Sequence, residues 1–250
     1  MSRPRSRAVT RVRRLAPALA VIAAALVLLS GPGTRLGLWE FSTGFVLLRW
    51  GAYLGLASAG LGLISLLWRG REDRRWLPLL AVILGLASAL VPWRLMQQAR
   101  GVPSIHDITT DTERPPEFVA VLPLRADAPN PATYGGPEVA AAQRQGYPNI
   151  GPLVLDATPA VAFRRALEAA REMDWEMVAA DSTSGRIEAT ATTPWFGFKD
   201  DVVVRVQPAE RGSRVDVRSV SRVGGSDVGA NAQRIRAYLA ELSNAGADSD

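Results

Sequence analysis

Three long apolar stretches in the first hundred residues constrain the fold of this chain more than any other feature. They cover about residues 15–31, 45–68 and 76–93, and each contains at most one charged residue. A helix that is apolar on every side must be buried in a large protein core or in a bilayer. The sequence therefore predicts three transmembrane helices within residues 15–93.

Arginine-rich segments flank these stretches and predict their orientation. Residues 1–14 hold six arginines and no acid, and RGREDRR at 69–75 holds four more. Basic termini and loops stay cytoplasmic, so a basic cytoplasmic N-terminus and three spans put residues 101–250 on the other side. Heavy use of Ala and Arg is typical of a GC-rich bacterial genome. We therefore expect a multi-pass protein of a bacterial inner (cell) membrane with a periplasmic C-terminal domain.

The first apolar stretch has a second interpretation, a cleaved signal peptide. The residues that follow it, SGPGTR, are not a small-x-small cleavage site, and further apolar stretches come after them. This favours an uncleaved membrane span.

Small residues recur in the second stretch, where Gly51, Gly55 and Ala59 are spaced four apart. This spacing gives a smooth face that allows another helix to approach closely. We expect membrane lipids as partners, and a homo-oligomer through these residues is one further expectation. The abundance of Gly and Ala in bilayer helices explains the same spacing without a protein partner.

Composition excludes several kinds of function. Residues 101–250 carry 15 basic and 21 acidic residues, so the net charge of +5 comes from the membrane-flanking segments and no nucleic acid is expected as a partner. The chain has no cysteine and one histidine, His106, which excludes disulfides, thiolate zinc sites and multi-histidine metal sites. We expect no metal and no cofactor, and we assign no catalytic residue.

Residues 101–152 contain nine of the 17 prolines and predict an ordered, mostly extended strap with a short helix near 137–145. Residues 153–243 predict a strand, a helix, four antiparallel strands and a final helix, because apolar and polar residues alternate through 186–192 and 201–207. Residues 244–250 are expected to be a disordered tail.

This order of elements predicts an α+β domain, a mostly antiparallel sheet packed on two helices. We expect a small helix-grip-like fold, in which a long C-terminal helix lies across a curved sheet. A TATA-binding-protein-like layout is the alternative.

Polar side chains cluster where the last predicted strand leads into the last helix. They are Arg218, Ser219, Ser221, Arg222, Ser226, Asp227, Asn231 and Arg234. Arginine donors and a helix N-terminus suit an anionic or polyhydroxyl head group, so the cluster is a candidate ligand-binding site. Alternatively, Ser226 or Asp227 caps the helix and the other residues form a buried network that joins helix to sheet.

Trp195, Phe196 and Phe198 lie in a loop between two predicted strands. They are candidate ligand-binding residues that form a lid, rest on the membrane or grip a partner, and burial under the loop as core is the alternative. Asp200 and Asp201 are a candidate acid–base pair, although neighbours in a strand point to opposite faces. His106 next to Asp107 permits a catalytic role, and docking of the strap is the alternative.

Four segments of the C-terminal region resemble one known family. They are IHDITTD at 105–111, PPEF at 115–118, WFGFKDDVVVRV at 195–206 and VDVRSVSRVGGSDVGANAQRI at 215–235. They resemble the bacterial and plant domain of unknown function 1499 over residues 101–243. Many members have Gly-Tyr or Gly-Val-Ser where this chain has Gly224-Gly225. The resemblance implies a membrane-anchored or secreted domain and supplies no activity or substrate.

The sequence leaves three functions open. The first is a non-enzymatic membrane protein whose domain binds a lipid or other amphiphile, or docks an envelope partner, with Arg218, Arg222 and Arg234 at the rim of the site. The second is an envelope hydrolase or transferase that uses His106 and Asp200 or Asp227. The third is a membrane scaffold subunit.

Overall fold

The computed structural model describes residues 7–67 and 75–247. Residues 1–6 of the predicted cytoplasmic N-terminus, most of the RGREDRR loop and residues 248–250 of the predicted tail lie outside the described residues. By its internal contacts the chain divides into two units. Unit 1 comprises residues 1–97 with 194–197, and unit 2 comprises residues 98–193 and 198–250.

In the part of the chain that the structure describes, unit 1 is built from three helices, each long and apolar enough to cross a membrane, and the last three residues of the third helix belong to unit 2. They are α1 (Arg7–Arg35), α2 (Phe41–Leu67) and α3 (Trp76–Arg100). The prediction of three candidate membrane spans is therefore confirmed. Helix α3 continues past residue 93 because the segment RLMQQAR that follows is rich in good helix formers.

Small residues mediate the helix packing within unit 1. A Cβ added at Gly51 would lie 2.6 Å from a valine side chain of α1, and one added at Gly55 would lie 2.5 Å from the carbonyl oxygen of Gly85 on α3. Ser58 lies between the two neighbours and donates to a carbonyl of α1 at 2.8 Å and to one of α3 at 3.3 Å. The predicted small-residue face, with Ala59, is buried inside this chain, and a homo-oligomer stays a prediction.

Unit 2 contains an open, antiparallel six-stranded sheet, which confirms the α+β prediction. Its strands are β1 (Asp107–Thr109), β2 (Leu153–Leu155), β3 (Glu176–Asp181), β4 (Arg186–Thr192), β5 (Lys199–Pro208) and β6 (Ser213–Ser221). The order is β1-β6-β5-β4-β3, and β2 also pairs with β6. The sequence predicted an extended strap here and did not predict strand β1.

Among the residues that the structure describes, unit 2 has three α-helices, which are α4 (Gly136–Gly146), α5 (Pro159–Glu172) and α6 (Ala230–Ala247), and a short 3-10 helix over Leu122–Arg125. Helix α4 is the short helix predicted near 137–145. Helix α6 begins at Ala230, three residues after the candidate cap Asp227, because Val228 and Gly229 have φ angles of 54° and 84°. It also includes residues 244–247, which were assigned to the tail.

The main core lies between the sheet and helices α5 and α6. Val202, Val204 and Val217 point into it from β5 and β6, and all three are at most 1% exposed. The ring of Trp175 stacks on that of Tyr238 with a centroid distance of 5.0 Å. One alternating face of each long strand therefore packs on helices, as the sequence predicted.

The strap covers the opposite face of the sheet. Phe118 and Val121 pack on Val203 and Val220, which gives a second, smaller apolar cluster. The buried carboxylate of Glu188 accepts the backbone N–H groups of residues 119 and 121 at 3.0 and 2.9 Å. Backbone hydrogen bonds and apolar contacts thus attach the strap to the sheet.

Candidate functional site

Strand β6 divides the predicted polar cluster between the two faces of the sheet. Successive side chains of a strand point to opposite faces. Ser219 and Ser221 bond to α6, whereas Arg218 and Arg222 bond to carbonyl groups of the strap. The residues near the end of β6 therefore belong to two separate networks.

Asn231 is the centre of the network on the helix side. Its fully buried side chain accepts a hydrogen bond from Ser219 Oγ at 2.7 Å. It donates to Ser221 Oγ and to the carbonyl of His106, both at 3.0 Å. Arg234 also donates to the Asn231 side chain. The bonds of Asn231 to Ser219, Ser221 and the His106 carbonyl join α6 to β6 and to the residue before β1, so this network has a structural role.

Asp227 caps the first turn of α6. Its carboxylate accepts the backbone N–H groups two and four residues further on at 2.9 and 2.7 Å. Ser226 accepts the N–H of Val228 at 3.2 Å. Burial raises the pKa of Asp227, and Asp200 raises it further, while the two N–H bonds and Arg234 oppose the shift. Arg234 pairs with Asp200 at 2.6 Å.

Arg218 is the centre of the network on the strap side. It is 2% exposed and donates two hydrogen bonds to Asp107, at 2.9 and 2.8 Å. It also donates to two strap carbonyls at 3.1 and 2.7 Å. Its guanidinium carbon lies 5.2 Å from the ring centroid of Phe118 and 5.4 Å from that of Tyr134. Arg218 therefore holds two parts of the strap against β6.

Arg222 shares a carboxylate with an arginine of the strap. Asp201 is fully buried and pairs with Arg222 at 2.8 Å and with Arg125 at 3.0 Å. Burial lowers the pKa of Arg125, which the charge of Asp201 opposes. Asp200 and Asp201 thus pair with arginines on opposite faces of the sheet. They do not form a carboxylate pair.

A cleft of about 800 Å³ opens between the strap and the sheet. Two strap segments, 113–119 and 132–134, form its walls, and Leu122 adds an apolar side chain. Strands β4 to β6 contribute Arg186, Arg205 and Arg218. Apolar and guanidinium groups therefore line the same concavity.

Two buried polar atoms at this cleft have no hydrogen-bond partner among the residues that the structure describes. They are the hydroxyl of Tyr134 and Nε of Arg205. Burial, followed by the charge of Asp107, raises the pKa of Tyr134 to about 12, so the phenol is a neutral donor at pH 7. Buried polar atoms are normally satisfied, and both of these unsatisfied atoms belong to residues that line the cleft.

Of the predicted ligand-binding residues, Arg218 lines this cleft, whereas Ser221, Asn231 and Arg234 lie on the other face. The sequence analysis missed Arg114, Arg186, Arg205 and Tyr134. Arg186 was already placed on the polar face of its strand by alternation. Arg186 lies beside Arg205 only because β4 pairs with β5, and a single sequence does not show which strands pair.

The aromatic loop divides between the two units. Within unit 1, the ring centroid of Phe196 lies 5.0 Å from that of Phe45, and Arg35 donates to the carbonyl of Pro194 at 2.5 Å. Phe196 is buried, and Trp195 is 43% exposed. Phe198 belongs to unit 2 and is partly buried.

The cleft contains none of the three residues considered for catalysis, His106, Asp200 and Asp227. The His106 carbonyl accepts hydrogen bonds from Ser221 N and from Asn231. Among the described residues, no group of three or more His, Asp or Glu side chains is arranged to hold a metal ion.

Comparison with known proteins assigns the C-terminal region to a family. No curated protein matches the chain. The family model described as protein of unknown function (DUF1499) matches residues 107–242, which is more than half of the chain. This range begins with β1 and ends within α6, so it includes most of the strap, all the residues that line the cleft, and both Asn231 and Arg218. The chain therefore belongs to the DUF1499 family of proteins of unknown function, and it carries three candidate membrane-spanning helices before the family domain.

Proposed function

We propose that this chain is a membrane-anchored binding protein whose C-terminal domain holds an amphiphile in the cleft between strap and sheet. The observation that carries the proposal is the lining of this cleft, where exposed apolar side chains and arginines occur together. Ligand sites are typically concave and mostly apolar, with a few convergent polar groups that fix orientation.

The apolar part of the lining comes from the strap. Val119 is 52% exposed and Leu122 is 43% exposed, although both neighbour the buried cluster of Phe118 and Val121. An apolar chain in the cleft would remove these side chains from water, at about 25 cal/mol per Å² of apolar surface buried. The cleft therefore offers a favourable environment for the hydrocarbon part of a lipid.

We also propose that the protein resides in a bacterial inner membrane with its N-terminus in the cytoplasm and its domain in the periplasm. The support is the excess of arginine before the first span and between the second and third. Alkaline phosphatase fused after Asp250 should be active in cells. A reporter that is active at this position only in the cytoplasm would contradict the orientation.

The binding proposal is tested by native mass spectrometry of the full chain, purified from its own membranes in a mild uncharged detergent. We expect a reproducible bound mass in the range of a membrane amphiphile. Thr133 is exposed and lines the cleft, so Thr133→Trp introduces an indole there and should remove most of the bound mass.

Ala126→Trp is the matched control, since Ala126 is an exposed strap residue outside the cleft. This variant should keep the bound mass of the wild type. A bare wild-type protein, or a bound mass that Thr133→Trp leaves unchanged, would contradict binding in this cleft.

A further inference from the structure

We infer that the cleft binds a phosphoryl group of its ligand at a pair of arginines that face each other across β4 and β5, Arg186 and Arg205. This inference rests on the proposed binding function and adds the chemistry of the head group. It assigns phosphoryl binding to Arg186 and Arg205, which lie outside the polar cluster at the end of β6.

The two arginines are direct neighbours across the strands. Arg186 of β4 is the register partner of Arg205 of β5, and both line the cleft. Directly opposed residues have Cβ atoms about 4.5–5.5 Å apart, and like charges in this arrangement destabilise a sheet. An anion that contacts both guanidinium groups would relieve this repulsion.

The carboxylates already present do not use all the donors of this pair. Glu188 pairs with Arg186 Nε at 3.1 Å, and its oxygens also accept two strap N–H groups. Asp111 and Asp216 accept from one terminal nitrogen of Arg205, at 3.3 and 3.0 Å. Nε of Arg205 is buried without a partner among the described residues. The terminal nitrogens of Arg186 likewise make no hydrogen bond within the described part of the chain.

Two further donors line the same cleft. Arg114 is exposed at the rim, and its guanidinium group makes no hydrogen bond or ion pair with the described residues. Tyr134 contributes its unpartnered buried hydroxyl. Glu113 and Glu117 also line the rim, but both are exposed, so solvent screens their repulsion of an anion.

The cleft offers hydrogen-bond donors from four separate side chains, and this number favours a phosphoryl group over a carboxylate as the bound anion. A phosphate monoester presents three terminal oxygens, whereas a carboxylate presents two. Planar guanidinium groups bind phosphate oxygens through paired N–H donors, and neutral hydroxyl groups complete such sites. Arg186, Arg205, Arg114 and Tyr134 together offer this set of donors.

The test uses the full chain in an uncharged detergent, titrated with three probes and followed by native mass spectrometry. The probes are dioctanoyl phosphatidic acid, dioctanoylglycerol, which has the same chains without phosphate, and inorganic phosphate. We expect phosphatidic acid to bind at least tenfold more tightly than either of the others. Arg114→Gln and Arg186→Gln should each weaken phosphatidic acid binding about tenfold or more, as for lost charge-assisted hydrogen bonds, and leave dioctanoylglycerol binding unchanged.

Arg164→Gln is the matched control, since Arg164 is an exposed arginine of α5 outside the cleft. It should bind all three probes as the wild type does. Arg114 makes no side-chain bond with the described residues, so Arg114→Gln stays informative if Arg186→Gln fails to fold.

The other outcomes separate this inference from the proposed function. Equal, arginine-independent binding of phosphatidic acid and dioctanoylglycerol would overturn the phosphoryl site and leave the amphiphile proposal standing. Arginine-dependent binding of inorganic phosphate as tight as that of phosphatidic acid would support the phosphoryl site and overturn the amphiphile proposal. Binding of none of the probes would overturn both.

Discussion

Arg218 and Asp107 form a two-point ion pair that joins the end of β6 to the first strand of the family domain, with N–O distances of 2.9 and 2.8 Å. The side chains are 2% and 6% exposed. The same guanidinium contacts the rings of Phe118 and Tyr134, and all three residues line the cleft. This pair therefore couples the stability of the domain to the shape of the candidate site.

Asp107→Asn should destabilise the domain strongly. Removing one partner of a buried ion pair leaves the other charge uncompensated, so we expect the free energy of unfolding to fall by about 3–5 kcal/mol. Urea unfolding of the full chain in detergent, followed by tryptophan fluorescence, measures this. Asp127→Asn is the control, since Asp127 is an exposed strap carboxylate, and an equal loss in both variants would contradict the account.

Val228→Gly should stabilise the domain. Val228 has a φ of 54°, in a region that β-branched residues rarely adopt. Glycine adopts it without strain, so we expect the free energy of unfolding to rise by about 1 kcal/mol. Val223 has no positive φ, and Val223→Gly, measured by the same unfolding experiment, should be neutral or destabilising. A loss of stability in Val228→Gly would show that this backbone is not strained.

The network around Asp111 should make stability depend on acid pH. Burial raises the pKa of Asp111, but N–H bonds from Arg114 and Glu113, with the charges of Arg214 and Arg205, lower it overall. A carboxyl whose folded pKa lies below its unfolded value of about 3.9 adds stability above that pH and loses it as the pH falls further.

At pH 7 the free energy of unfolding of the wild type should therefore exceed that of Asp111→Asn by the largest amount. This difference should shrink as the pH falls below about 4. The contribution of Asp227 to stability should have the opposite pH dependence, because the pKa of Asp227 is raised in the folded protein. The difference between wild type and Asp227→Asn should be largest at low pH and decline as the pH rises. Unfolding measured from pH 3 to pH 7 tests both, and two parallel pH profiles would contradict the assignment.

Gly55→Leu should disturb the packing of the candidate membrane helices. A Cβ at Gly55 would lie 2.5 Å from the carbonyl oxygen of Gly85, so a larger side chain must separate α2 from α3. Overpacking of this kind costs about 1–3 kcal/mol, and we expect the detergent-solubilised chain to lose its monodisperse peak at a lower temperature.

Gly60→Leu is the control for that experiment. Apart from the adjacent residues and the backbone of its own helix, no described atom lies within 4 Å of a Cβ at Gly60, so this variant should aggregate at the same temperature as the wild type. A matching decrease in both variants would indicate a general effect of leucine in the helix.

Sequence periodicity revealed the helices and the four long strands because each is long enough to repeat its pattern. Val202, Val204 and Val206 pointed to one buried face, and the structure buries all three in the main core. Composition likewise predicted the three candidate spans, since an apolar run long enough to cross a bilayer as a helix is typical of a membrane protein.

The candidate site was harder to predict because it depends on which strands are neighbours. Arg218 and Arg234 belong to one cluster along the sequence. In β6, however, alternate side chains point to opposite faces, so Arg218 contacts the strap and Ser219 contacts α6. Arg186 and Arg205 are far apart in sequence and meet only through the pairing of β4 with β5. The cleft also needs the strap, whose path is set by bonds such as Arg218 to Asp107.

Photo-crosslinking tests the central claim, an amphiphile in the cleft, most directly. The full chain is illuminated in nanodiscs with a diazirine-bearing phosphatidic acid, and the labelled peptides are identified by mass spectrometry. We expect labels on strap segments 113–122 and 132–134 in addition to the membrane helices, lost in Thr133→Trp and kept in Ala126→Trp. Labels confined to the membrane helices, or strap labels that Thr133→Trp does not reduce, would contradict the account.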